Sequence, residues 1–168
     1  AQVIALDDLQ RFAEIGVIAA MQPTHATSDM NMAEDRVGAE RIKGAYAWRR
    51  LLDLGVVIAG GSDFPVELSN PFHGLYSAVS RKDHQGTPAN GWYADQAMTR
   101  AEALRAFTID AAYAAHQESR LGNLQPGYWA DFIMIDRDFF SVPEDQIYKI
   151  KVLETWLAGR CIYEHTTN

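Results

Sequence analysis

The apolar and polar positions of the chain are arranged around one uninterrupted hydrophobic stretch. Val56-Val57-Ile58-Ala59 is followed by Gly60-Gly61 and then, after Ser62, by Asp63. A continuous apolar run of this length is typical of a strand that is buried on both faces. Two glycines at its end allow a close backbone approach or an unusual φ angle. We therefore predict a buried strand with a carboxylate just beyond its carboxyl end.

The same order of helix, glycine and apolar strand occurs twice in the first third of the chain. The first unit has an amphipathic helix at Leu6–Ile15, Gly16 as its stop, and a strand at Val17–Met21. The second has a helix at Glu40–Leu54, and Gly55 separates it from the central strand. Tandem units of this kind favour a parallel sheet that is covered by helices.

Polar residues follow both predicted strands. The first strand leads into Gln22-Pro23-Thr24-His25, where Pro23 stops the pairing, and we predict irregular structure for residues 26–38. The carboxyl ends of parallel strands lie at one edge of a sheet, so His25 and Asp63 are expected at the same end. Capping or turning of the loop is an alternative role for Asp63, because aspartate is common in turns.

The second half of the chain changes in character. We predict a helix from Asn70 to Arg81, a loop over residues 82–96, and a helix from Thr99 to Ala115. Thr99-Arg100-Ala101-Glu102 has the pattern of a capping box.

After His116 the pattern is turn-rich and predicts a strand at Ala130–Asp136 and a hairpin formed by Val152–Leu157 and Cys161–Tyr163. The predicted organisation is residues 1–118 as α/β units and residues 119–168 as a small appended sheet.

Composition narrows the class of protein. The 168 residues suffice for one sizeable core, and a net charge of −7 argues against nucleic acid and anionic membranes as partners. No apolar stretch is long enough to span a bilayer. The single cysteine, Cys161, excludes an internal disulfide and a cysteine metal cluster, and a cytoplasmic location is the default expectation. Because the chain starts at Ala1 with the pattern of a strand's tail, we expect it to be a piece of a longer chain.

Local motifs give little chemistry by themselves. None of the five histidines (His25, His73, His84, His116 and His165) stands at H-x-H or H-x-x-x-H spacing. We interpret all but His25 as structural or surface residues. Phe64 stands where a nucleophile elbow requires glycine after Ser62, which argues against a serine hydrolase. Gly60-Gly61 lacks the Gly-Lys-Ser/Thr of a phosphate-binding loop.

Four blocks nevertheless occur in a specific order. They are Met21-Gln22-Pro23-Thr24-His25, Gly44-Ala45-Tyr46-Ala47-Trp48-Arg49, Gly61-Ser62-Asp63-Phe64-Pro65-Val66, and Leu121-Gly122-x-Leu124-x-Pro126-Gly127-x-x-Ala130-Asp131-Phe132. Together they resemble the C-terminal part of a metal-dependent hydrolase of the amidohydrolase superfamily. The most similar branch contains the N-substituted formamide deformylase-like enzymes.

The resemblance implies an α/β fold, namely the last units of a (β/α)8 TIM-type barrel and part of a small β-sandwich. Val17–Met21 and Val56–Ala59 would be barrel strands seven and eight, and Ala1–Ile4 would be the end of strand six. Residues 121–163 would be the C-terminal share of the sandwich.

The resemblance also implies a mechanism that hydrolyses carbon–nitrogen bonds of amide type in a small-molecule substrate. Asp63 would be a metal ligand and the proton shuttle of a metal-activated water, and the metal would be Zn²⁺ or a similar divalent ion. His25 would face or polarise the substrate. Phe64 and Pro65 would shape the pocket wall.

The chain departs from the family pattern because the H-x-H pair of strand one, the bridging ligand and the later histidines are missing. A catalytic zinc takes about three protein ligands. We therefore expect this chain alone to be inactive and to bind no metal or bind it weakly. A homo-oligomer, or association with the missing N-terminal part, is expected to protect the exposed strand edges. The alternatives are a non-catalytic α/β assembly or binding module and a metal-dependent esterase or deacetylase on the same barrel.

Overall fold

A computed structural model, which describes residues 1–166, shows a mixed α/β region followed by a small antiparallel sheet. The helices are α1 (Leu9–Glu14), α2 (Pro23–Asp29), α3 (Ala33–Arg41), α4 (Trp48–Asp53), α5 (Pro71–Ser80), α6 (Arg100–Phe107) and α7 (Ile109–Ala114). The strands are β1 (Ala19–Met21), β2 (Ile58–Gly60), β3 (Phe132–Ile135), β4 (Val152–Leu157) and β5 (Arg160–Glu164). Short 3₁₀ helices lie at Leu6–Asp8, Ile42–Gly44, Ala94–Gln96 and Glu144–Lys149.

The strands β1 and β2 are parallel neighbours, as the repeated pattern predicts. Ala19 pairs with Ile58 and Met21 pairs with Gly60, so the two strands end at the same edge. Ala19 and Ile58 are almost fully buried, because α6 and α7 pack against β2. Both strands are shorter than predicted. Ala1–Ile4, predicted to be a strand end, forms only an isolated bridge between Val3 and Ala45.

Two predictions for the segment between β1 and β2 are wrong. Residues 26–38 are not irregular, because α2 and α3 occupy most of them. The single helix predicted at Glu40–Leu54 is broken, with Tyr46 at φ 49° between the 3₁₀ turn and α4. The break coincides with pairing to the start of the chain, where Tyr46 N–H donates to the Gln2 carbonyl at 2.8 Å. A distant segment therefore decides this backbone conformation.

The predicted helices of the second half are confirmed, with one interruption. Asn70 accepts a hydrogen bond from Phe72 N–H at the start of α5, and Pro71 occupies the first turn, where no N–H is needed. The capping box at the start of α6 is present, with both Thr99 and Glu102 bonded as predicted. The helix breaks at Thr108, which separates α6 from α7.

The appended sheet has the antiparallel order β3-β4-β5, which confirms the predicted hairpin. Every residue of its strands is half-buried or exposed. The predicted C-terminal part ends with residues 167–168, which lie outside the described range. Each helix in the described part of the chain falls short of the length and apolar character that a membrane span requires.

The hydrophobic core contains the buried side chains of α4, α5 and β2. Trp48 and Leu51 of α4 are fully buried, as are Phe72 and Tyr76 of α5 to within a few per cent. Arg81, at the end of α5, lies within this core and holds its guanidinium 4.2 Å above the Trp48 ring. Burial lowers the pKa of Arg81 to about 10.

Candidate functional site

Asp63 lies three residues beyond β2, in a loop at the carboxyl edge of the parallel sheet. Its backbone is left-handed, with φ 58°, a conformation that aspartate tolerates better than most residues. The side chain is 52% exposed, so its carboxylate is open to solvent and to any group that approaches this edge. The position after a strand end, together with this exposure, leaves the carboxylate free to act chemically.

His25 follows β1, but it lies on a helix and not in a loop. Pro23 is the first residue of α2, and the His25 N–H donates to the Gln22 carbonyl at 3.0 Å. The imidazole is largely buried, with a side-chain exposure of 11%. The first turn of α2 therefore fixes the ring at the sheet edge.

The structure brings His25 and Asp63 together, which confirms the prediction that they share one end of the sheet. His25 Nε2 lies 3.5 Å from Asp63 Oδ2. Nε2 is buried and makes no hydrogen bond within residues 1–166. Asp63 is therefore the charged neighbour of Nε2, and its own carboxylate remains open to solvent.

Gln2 also contacts the His25 ring, and the sequence pattern did not predict this contact. Gln2 Nε2 lies 2.6 Å from His25 Nδ1, on the side of the ring away from Nε2. Two backbone bonds hold the segment of Gln2, one from Tyr46 N–H to the Gln2 carbonyl and one from Ile4 N–H to the Gly44 carbonyl at 3.0 Å. A glycine is needed at position 44, because a Cβ there would overlap the Ile4 carbonyl.

Several side chains fix α2, which carries His25, against its neighbours. Thr27 and Ser77 hydroxyls lie 3.3 Å apart between α2 and α5. Ser28 donates to Glu67 at 2.7 Å and so links α2 to the loop that carries Asp63.

The hydroxyl of Tyr46 donates to the Asp29 carboxylate at the end of α2. Burial, followed by this hydrogen bond and the charge of Asp29, raises the pKa of the Tyr46 phenol well above its usual range. The phenol therefore stays protonated and keeps the bond at physiological pH.

The two residues predicted to form a pocket wall lie on the surface. Phe64 is 66% exposed and Pro65 is exposed as well, directly after Asp63. Val66 and Leu68 continue this apolar exposed stretch, with exposures of 72% and 56%. A role for Phe64 and Pro65 in a pocket wall stays a prediction, because a pocket requires further polypeptide facing their exposed surfaces.

The donors at this edge do not suffice for a catalytic metal. Within residues 1–166, histidine, cysteine, aspartate and glutamate form no group of three or more that could hold a metal ion. Asp63 is the one side chain predicted as a ligand, whereas a catalytic zinc is held by about three protein ligands. The arrangement fits one side of a metal site and does not fit a complete one.

The remaining histidines are one contacting pair and two exposed residues. His73 and His84 form a half-buried pair, with His73 Nδ1 2.8 Å from His84 Nε2, and burial lowers the pKa of both imidazoles. His116 and His165 are exposed. This placement is in keeping with the structural or surface interpretation drawn from the sequence.

Comparison with known proteins adds the family. The family model described as "Amidohydrolase family" matches residues 1–163. The chain is 31% identical over 164 residues to the putative amidohydrolase YtcJ of Bacillus subtilis, covering 98% of this chain and 31% of that protein. It is 30% identical over 162 residues to the N-substituted formamide deformylase of Arthrobacter pascens, covering 94% of this chain and 29% of that enzyme.

A solved structure supports the same relationship. An uncharacterized metal-dependent hydrolase from Pyrococcus horikoshii matches with a TM-score of 0.74 and 29% identity, covering 86% of this chain and 29% of that one. The chain thus spans about a third of the length of the curated relatives it matches. The match over nearly the whole chain and the carboxylate beyond the second parallel strand lead to one conclusion, that this chain belongs to the amidohydrolase family.

Proposed function

We propose that this chain forms the C-terminal part of the catalytic barrel of a metal-dependent hydrolase that acts on non-peptide carbon–nitrogen bonds of amide type. The observation that carries the proposal is the placement of Asp63 beyond β2, 3.5 Å from His25 of the neighbouring strand's unit. Family membership supports it, and the N-substituted formamide deformylase among the relatives suggests N-substituted formamides as the first substrates to test.

Asp63 is the proposed proton shuttle. Its half-exposed carboxylate accepts a proton from the attacking water and returns that proton to the leaving nitrogen, whose departure as an anion would be slow. A carboxylate suits this role because its anionic form accepts a proton and its neutral form returns it. The left-handed loop presents the group outward, toward the space where a substrate would lie.

The proposed cofactor is a divalent metal, most simply Zn²⁺, which when bound lowers the pKa of a coordinated water to about 7. Asp63 is the proposed ligand from this chain. The other ligands would come from polypeptide that is not in this chain, since within residues 1–166 no group of three or more histidine, cysteine, aspartate or glutamate side chains could hold a metal ion. The chain's coverage of about a third of its relatives leaves ample length in those relatives for such ligands.

The substrate would lie between the His25–Asp63 pair and the exposed Phe64-Pro65 stretch. In this proposal His25 faces the substrate and polarises it, and Phe64 and Pro65 form an apolar wall once the rest of the barrel is present. Two-thirds of the Phe64 surface is exposed in the chain by itself, which leaves it available for such contacts.

The parallel sheet supports association with further polypeptide. It consists of β1 and β2 alone within the described residues, so each strand has one edge without a β partner. Exposed strand edges are open to pairing with another chain. We propose that the partner is the N-terminal part of the barrel, and that a homo-oligomer is the alternative.

Substitution of Asp63 tests the proposal most simply in the complete hydrolase that contains this chain. Asp63→Asn keeps the size and polarity of the side chain and removes its ability to carry a proton. We expect kcat on an N-substituted formamide to fall by about 10²-fold to 10⁴-fold, the range typical of general acid–base catalysis. Asp35→Asn on the exposed face of α3 is the matched control and should leave kcat unchanged.

Retention of near-full activity by the Asp63→Asn enzyme would contradict the proposed role. Loss of activity in both variants would point to a defect in folding, which circular dichroism of the two proteins would reveal.

A further inference from the structure

The contact between Gln2 and His25 determines which ring nitrogen carries the proton. Gln2 Nε2 lies 2.6 Å from His25 Nδ1. An amide nitrogen has only donors, so Nδ1 must accept with its lone pair. A neutral imidazole carries a single proton, which then resides on Nε2.

The Nε2 side of the ring faces the proposed proton shuttle. Nε2 is buried and makes no hydrogen bond within residues 1–166, and Asp63 Oδ2 at 3.5 Å is its charged neighbour. An N–H directed toward a carboxylate is attracted to it and favours its ionised form. An Nε2 lone pair directed toward the same carboxylate would repel it.

We infer that Gln2 is a positioning residue of this site: it holds His25 as the Nε2–H tautomer, and this N–H orients the Asp63 carboxylate. The inference rests on the proposed function for its catalytic meaning, whereas the tautomer itself rests on the geometry. It assigns a role to a residue that is far from Asp63 in the sequence.

Two consequences follow for the chemistry of the site. His25 does not bind a metal through Nε2, because a protonated nitrogen has no lone pair to donate. His25 is therefore a hydrogen-bond donor to Asp63 or to a substrate oxygen. Because Oδ2 of Asp63 is the oxygen nearest this N–H, Oδ1 is the one that takes up the proton of the water and returns it to the leaving nitrogen.

Backbone hydrogen bonds on either side of Gln2 fix the position of this residue. The Gln2 carbonyl accepts a hydrogen bond from Tyr46 N–H at 2.8 Å. Two residues further along the chain, Ile4 N–H donates to the Gly44 carbonyl. The close approach to Gly44 is possible only because position 44 has no Cβ. The Tyr46 hydroxyl in turn bonds Asp29 on α2, the helix that carries His25. Gln2 and His25 are thus fixed to each other through Tyr46 as well.

Nuclear magnetic resonance of the ring nitrogens tests the inference on the 168-residue chain itself. Long-range ¹H–¹⁵N correlation at a pH where His25 is neutral distinguishes a protonated from an unprotonated ring nitrogen. The His25 signals are identified by their loss in a His25→Asn variant. We expect Nε2 to be protonated and Nδ1 to be unprotonated in the unsubstituted chain.

Two substitutions of Gln2 provide the comparison. Gln2→Glu replaces the donor by a carboxylate, which only accepts, so the proton should move to Nδ1. Gln2→Met has a similar length and no hydrogen-bonding amide, so both tautomers should be populated. The backbone amide spectrum of each variant shows whether the fold is kept, and the unsubstituted chain with either folded variant is sufficient for a decision.

A protonated Nδ1 in the unsubstituted chain would overturn the inference, and so would a Gln2→Glu variant with unchanged ring nitrogens. This experiment does not depend on activity. If the tautomer is as expected but Asp63→Asn leaves the hydrolase active, the proposed function fails and the Gln2–His25 arrangement stands.

Discussion

The α/β region and the appended sheet are stabilised in different ways. In the first region, Trp48, Leu51 and Ala103 have no exposed surface, and α4, α6 and α7 all pack against β2. In the sheet β3-β4-β5 no residue of the strands is buried, and Ile133, Leu157 and Ile162 are about half exposed. Backbone pairing and cross-strand contacts such as the stacked Phe132–Trp156 rings hold the sheet together.

This difference shows which parts of the chain bury their apolar side chains and which parts leave them exposed to solvent. The core of the α/β region is closed, whereas the sheet and the edge that carries Asp63 leave apolar or reactive groups uncovered. His25 joins the packed core to the open edge: its side chain is buried on a helix, and its Nε2 is directed to the exposed Asp63 carboxylate. The packed region therefore fixes the position of the His25 ring, and the open edge leaves the Asp63 carboxylate accessible.

The largest expected effect comes from a substitution in the closed core. Trp48→Ala should lower the free energy of unfolding by about 3 to 5 kcal/mol, because it removes a fully buried ring that also lies under the Arg81 guanidinium. Ile162→Ala, in β5, should change it by about 0.5 kcal/mol or less, since the side chain is 58% exposed. Urea unfolding of the two variants measures both values, and similar costs would contradict the contrast between the regions.

A smaller effect should come from an ion pair that joins α4 to α6. Arg49 Nη2 lies 2.5 Å from Glu102 Oε2, and this bond is the main cause that lowers the pKa of Glu102 to about 2. A carboxyl whose pKa is lower in the folded state stabilises the fold fully above its unfolded pKa of about 4.5, and this stabilisation is lost as the pH falls toward 2. Glu102→Gln should therefore reduce the pH dependence of stability in this window.

We expect the Glu102→Gln variant to lose about 1 to 2 kcal/mol at pH 7, a value that allows for partial solvent screening. Glutamine retains the capping box at the start of α6, so the change isolates the ion pair. Glu118→Gln, at an exposed position after α7, is the matched control and should leave the unfolding curve unchanged. Equal pH profiles for the Glu102→Gln variant and the unsubstituted chain would show that the pair does not contribute.

Patterns that local residues determine were readable from the sequence. The buried strand β2, the helix α5 with Pro71 in its first turn, and the capping box at Thr99 all follow from residues within one element. The placement of His25 and Asp63 at one edge follows from the parallel order of two such units. These features require no knowledge of distant contacts.

Features that depend on distant segments were not readable. The helix α3 is mostly polar, and its few apolar residues form no stripe that would have marked it in the sequence. The break at Tyr46 depends on the pairing of residues 2–4 with residues 44–46. The contact of Gln2 with His25 depends on that same pairing. Only the helix α2 had an overlooked local signal, because Pro23 begins it as Pro71 begins α5.

We propose that this chain supplies one part of a shared metal site, with Asp63 as its ligand. A zinc titration of the purified 168-residue chain, followed by calorimetry and by metal analysis after dialysis, tests it most directly. The account predicts that the chain retains no stoichiometric zinc, whereas the complete hydrolase retains zinc and loses affinity in the Asp63→Asn variant. One equivalent of zinc held tightly by the chain alone would contradict the account.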